Sequence, residues 1–150
     1  MDETVIQKIR FEITQIDREI DEYEPLFALC KLKEPDKIER SAAALLLHSF
    51  YNGIEKILIL IFKNIDLNLP SGNKWHTELF EKSFEKTEMH GNIFREELRD
   101  ALHNYMSFRH FVRHTYDFQL VWDRMEDLVN HLTENWYKIK DDLNKFLESV

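Results

Sequence analysis

Apolar residues near the start of the chain, Ile6, Ile9, Ile13, Ile16, Ile20, Tyr23 and Phe27, recur at alternating steps of three and four. That spacing draws one stripe down a helix of 3.6 residues per turn and predicts a long amphipathic helix packed on one face. Pro25, which has no amide hydrogen to donate, kinks or divides that helix near its end. The last third of the chain carries a second seam of the same period: Trp122, Met125, Val129, Leu132, Trp136, Ile139, Leu143 and Phe146. Such a seam can close on a second copy as a coiled coil, but aromatic residues at several of its positions suit a bundle core better than a narrow two-stranded zipper.

Between the two seams, residues 37–65 are apolar on most faces, the pattern of a central helix contacted from several sides. The run at 41–62 is long enough to span a bilayer, yet it contains His48, Asn52, Glu55 and Lys56, each costly at that depth. A buried helix is therefore expected, with no membrane contact. Gly53 in its middle offers a close helix crossing. Pro70, Ser71, Gly72 and Asn73 mark a loop leading into a short helix at about 74–86, and a second break falls at 90–92. A fourth helix follows from Phe94, with Leu98, Leu102, Tyr105 and Val112 on or near its core face, and ends near 115–118. The expected fold is all-α: an up-and-down bundle of about five helices, one domain over residues 1–150.

Composition supports few long elements, since only three glycines and three prolines accompany 43% hydrophobic residues. A net charge of -8 argues against general electrostatic capture of nucleic acid or of anionic membranes. Any nucleic-acid contact must be local. The single Cys30 can form neither an intrachain disulfide nor a cysteine metal cage, and the opening residues lack the uninterrupted apolar stretch of a secretion signal. A cytoplasmic location is the expectation.

Against that acidic background residues 101–116 stand apart, because they contain no Asp or Glu but hold Arg109, Arg113, His103, His110 and His114. On an ideal helix His103, Ser107, His110 and His114 fall within about 60° of one another and form one polar stripe. Three readings are open. His110 and His114, four apart, can share a metal ion, although no nearby Asp, Glu or Cys completes a site, so no metal is expected. Cations also favour helix C-terminal ends, where they meet the negative end of the macrodipole. The third reading is metal-free cleavage of RNA, in which an imidazole moves the proton of a 2′-hydroxyl or of the leaving oxygen while a guanidinium holds the charge of the phosphorane. Arg109 and His114 point about 140° apart on an unbroken helix, so they converge only if the helix unwinds after Val112 or if two copies meet across a two-fold axis. A dimer would also supply a second histidine as the partner acid or base.

The segment RHFVRHTY, with Arg109, four intervening residues, His114, one residue and then Tyr116, and with the polar His110 directly after the arginine, resembles the signature of HEPN-domain ribonucleases in the form carried by HepT toxins. YNGIEKIL (51–58), LPSGNKWHTEL (69–79) and the final helix with Trp122 are similar in kind and order to HepT-like domains, so the resemblance runs from about residue 38 to the end. It implies an all-α, HEPN-like domain that forms a homodimer, a metal-independent endoribonuclease site built from the arginine and histidine of both subunits, no cofactor, and an MNT-type nucleotidyltransferase as cognate antitoxin, with higher hetero-oligomers open. Such partners neutralise the toxin, in some systems by adding AMP to the tyrosine of the motif. Carried onto this chain, Arg109 stabilises the phosphorane, His114 is the acid/base, His110 orients or binds phosphate, and Tyr116 is the control point. Arg113 is no position of the signature and assists phosphate binding or does nothing. Glu55 either pairs with an arginine of the site or lies on the one wet face of its helix.

Two rival readings need no nuclease: a non-catalytic helical dimerisation or protein-interaction module with a phosphate or nucleotide pocket, and a helical subunit whose partner holds the chemistry. The joint presence of Arg109, His114 and Tyr116 favours the nuclease.

Overall fold

The first seam folds as two helices. In the structure, a computed structural model that describes residues 2–114 and 120–150, α1 runs over Glu3–Glu22 and α2 over Glu24–Leu32. The break falls at Tyr23, because Pro25 cannot donate into the preceding turn and its ring crowds the carbonyl four residues back; it is accommodated in the first turn of α2 instead. Val5, Ile9, Ile13, Ile16 and Ile20 are buried along α1.

The central helix α3, Lys37–Asn64, is started by a capping box: the Asp36 carboxylate accepts from the Glu39 amide and the Glu39 side chain accepts from the Asp36 amide. It packs against α1 and against three helices defined below, α4, α5 and α6, which explains why apolar residues cover most of its circumference. By length and hydropathy alone it could cross a membrane, but 56% of its most apolar window is buried inside the fold. At Gly53 a β-carbon would stand 2.9 Å from the Ile16 side chain. Glycine there is what lets α1 lie so close.

Short α4, Trp75–Lys82, stops earlier than the expected 86. The Ser83 hydroxyl turns back to the Phe80 carbonyl, and the Ser83 carbonyl accepts from the amides of Ile93 and Phe94. The same clasp delays the next helix: Phe94 is buried as a loop residue, and a 3-10 turn at Glu96–Leu98 leads into α5, Arg99–Arg113. Arg95 ties this loop to the C-terminal helix, its amide and guanidinium both bonding the Asp142 carboxylate at 2.8–3.1 Å.

The C-terminal seam also divides, into α6, Trp122–Asn130, and α7, Leu132–Ser149. The Tyr105 hydroxyl donates to the Leu128 carbonyl at 2.7 Å, the acceptor that an unbroken helix would offer to the Leu132 amide. Splitting both seam helices gives seven α-helices among the described residues in place of about five, and no strand among them. The apolar faces of α1 through α7 meet in one cluster, where each fully buried Leu, Ile or Phe contributes about 1.5–3 kcal/mol. Trp136 donates to Asp17 at 2.6 Å, pinning α7 to α1.

Candidate functional site

Helix α5 presents two different faces. Leu102, Tyr105, Phe108 and Arg109 are buried, while His103, Ser107 and His110 are exposed. Arg109 thus occupies a core register, four residues on from Tyr105, where the seam calls for an apolar side chain. A cation in that place needs a partner, since an isolated buried charge is strongly disfavoured.

Glu55 is that partner. Its Oε1 accepts from Arg109 Nη1 at 2.7 Å, and the two side chains are 8% and 7% exposed. Its Oε2 lies 2.8 Å from His76 Nδ1 on α4. One carboxylate from the middle of α3 therefore holds an arginine of α5 and an imidazole of α4. With a carboxylate at Nδ1, that nitrogen carries the proton and Nε2 is the basic position of the ring. The Trp75 indole lies against the His76 ring, centroids 3.5 Å apart, and restrains its tilt. Arg109 also stands over the Tyr51 ring at 5.7 Å. Burial, and after it the charge of Glu55, pushes the Tyr51 phenol up, so it stays protonated beside the pair.

Helix α5 ends at Arg113, just short of the expected 115–118. His114 leaves it with φ -123° and ψ 18°, its amide bonded to the Phe111 carbonyl. Here Arg109, His110, Arg113 and His114 come to line one cleft of about 530 Å³, open to solvent, within a single chain. The rings of His110 and His114 are 4.6 Å apart. Lys74 and His76 line it as well, with Asn73, Thr77, Met106 and Ser107. Three cations and three imidazoles border the space, and among the described residues no Asp or Glu lines it. His103 departs from the expected stripe: it packs edge-on against Phe80 at 5.7 Å and is not part of the wall. Among the described residues no group of three or more His, Cys, Asp or Glu is placed to hold a metal ion. Tyr116 lies outside the described residues.

Arg113 also borders a second cavity, of about 410 Å³, beside His48 and Leu45 of α3. Asn52 donates to His48 Nε2 at 3.1 Å, leaving the proton on the buried Nδ1. Burial, then the charges of Arg109 and Arg113, hold the His48 pKa below the usual histidine range. His48 thus stays neutral behind the cationic wall.

Such a cleft can receive a phosphodiester: cations meet its oxygens, and imidazoles stand within the same space to move protons. The helix-end reading accounts for His110 and Arg113, which do occupy the last turn of α5, but not for Arg109, whose charge is committed to Glu55. Sequence reasoning missed His76 and Lys74. Both lie in the NKWHTEL stretch of the loop and α4, 33 and 35 residues from Arg109, and nothing in their local pattern marks them.

No curated protein and no solved structure matches the chain. A family model described as HepT-like protein does match, over residues 42–150, which spans the central helix, the cleft and the C-terminal helices. With that match covering more than two thirds of its length, the chain belongs to the HepT-like family of the HEPN superfamily.

Proposed function

We propose that this protein is a metal-independent endoribonuclease, the toxin of a toxin–antitoxin pair whose antitoxin is an MNT-type nucleotidyltransferase. The observation that carries the reading is the cationic cleft: in a chain of net charge -8, three cations and three imidazoles border one space of about 530 Å³, with no carboxylate among the described residues that line it. The family adds support, since HepT-like proteins belong generally to a toxin–antitoxin setting and the superfamily is generally ribonuclease-related. Arg109, oriented by Glu55, meets the charge that develops on the phosphorane; His114 is the acid/base at the cleft mouth; His110 and Arg113 hold the phosphate. Two copies associate as a homodimer, and transfer of AMP to Tyr116 by the antitoxin silences the site by adding a phosphate charge and a bulky nucleoside beside the cations.

One observation favours a second reading. Arg109 is already neutralised by Glu55, which suits an interaction module whose pocket binds phosphate without turnover. Incubation of the purified protein with RNA in excess EDTA separates the two. Cleavage that persists in the chelator and falls at least about 10²-fold in His114→Ala supports the nuclease. RNA bound but never cut supports the module.

A further inference from the structure

We propose that His76 is a second catalytic imidazole of the same cleft, the general base that takes the 2′-hydroxyl proton, with Glu55 as its positioning residue. This rests on the nuclease reading above. One imidazole can begin the reaction or finish it, and a cleavage that both removes and delivers a proton in one passage needs two. Within this chain the cleft holds three, but their settings differ. His110 and His114 lie in the last turn and cap of α5. Among the described residues, His76 is the one of the three with a carboxylate on Nδ1, at 2.8 Å, and it has the Trp75 indole tilted against its ring. Its side chain is 34% exposed while Glu55 is 8% exposed, so the anchor is inside and the ring is at the cleft wall.

That arrangement fixes the tautomer with Nε2 unprotonated, as a base requires, and it does so through the carboxylate that also orients Arg109. In the step, the 2′-oxygen bonds to phosphorus as its proton passes to His76 Nε2. The bond from phosphorus to the 5′-oxygen breaks as the imidazolium of His114 gives its proton to that oxygen. A 2′,3′-cyclic phosphate and a 5′-hydroxyl leave, and the two imidazoles have exchanged protonation states. The second histidine then comes from the protomer itself rather than from its partner.

The test compares two substrates across pH in EDTA: RNA, and uridine 3′-(4-nitrophenyl phosphate), whose leaving group departs without a proton. His76 is exposed enough that His76→Ala should fold, which circular dichroism verifies. The expected result is that His76→Ala loses at least about 10²-fold in kcat on both substrates and loses the acidic limb of the pH profile. His114→Ala should fall far more on RNA than on the ester. Glu55→Gln, which keeps the His76 ring but not its carboxylate, should fall in kcat and displace the same acidic limb. Full activity of His76→Ala with both limbs intact overturns the proposal while the nuclease reading stands. So does a loss confined to KM, which makes His76 a phosphate contact, or a loss on RNA alone, which makes it the acid. A wild-type protein that cuts neither substrate fails the nuclease reading itself and takes the proposal with it.

Discussion

Arg95 and Arg109 are both held by carboxylates on other helices, and they are held differently. Arg95 gives Asp142 its backbone amide, Nε and Nη2, and the same Nη2 reaches Asp141 and the Lys138 carbonyl. These bonds all go to one helix, and they lock the loop before α5 onto α7. Arg109 has one bond to Glu55, whose second oxygen is given to His76, a partly exposed ring on a cleft. The first arrangement ties a loop to one helix and serves the fold. The second carries a buried charge outward to a titratable group at a solvent-filled space, which is the form expected where a pair also serves chemistry.

The sharpest way to break this comparison is to neutralise each carboxylate. Glu55→Gln leaves Arg109 charged and buried without its counter-ion, and should cost about 3–5 kcal/mol in urea denaturation. Equal, small losses for Glu55→Gln and Asp142→Asn would erase the distinction. Next in size is Arg109→Lys, which keeps the charge but not the planar fork: turnover on RNA should fall by about 10²–10³, while Arg95→Lys should leave it unchanged. Asp142→Asn should cost only about 1–2 kcal/mol, because Arg95 is 33% exposed and retains Asp141.

The smallest effect concerns His48, behind the cationic wall. Its pKa is lowered by burial first and by Arg109 and Arg113 after it, so the unfolded chain takes up a proton that the folded chain refuses. Stability on this account falls as pH drops below the usual histidine range, and is full above it. Arg113→Gln removes one of the two repelling charges and should move the His48 titration, followed by NMR, back toward higher pH. No movement would mean that Arg113 has no part in setting it.

Much of the helical layout was legible. The seams of α1 and α7, the apolar girth of α3 and the loop at Pro70–Asn73 follow from periodicity and turn chemistry, which are local. The breaks at Tyr23 and His131 differ in kind. Pro25 announces the first, but the second depends on the Tyr105 hydroxyl reaching the Leu128 carbonyl from another helix. In the site, the acid-free window pointed to Arg109, His110, Arg113 and His114, and all four line the cleft. A further signal was present and unused: Arg109 falls in the register of Leu102 and Tyr105, so it had to be buried and had to be paired. Glu55, a carboxylate on the most apolar helix, was the natural candidate, and the alternative that placed it on a wet face is excluded by its burial.

The sequence by itself therefore determined that the chain is helical, which faces are buried, and that a cluster of cations and imidazoles ends one helix. It determined these because hydrophobic period, capping and charge spacing act over a few residues, and any chain with that pattern meets the same local physics. Only the tertiary structure decided that Glu55 joins Arg109 to His76, because those residues come from three helices and are 54 and 21 positions apart. Such a pairing depends on how α4 and α5 lie across α3, which the packing of side chains far from the cleft sets. The desolvation that makes the pairing obligatory also exists only once the core has closed.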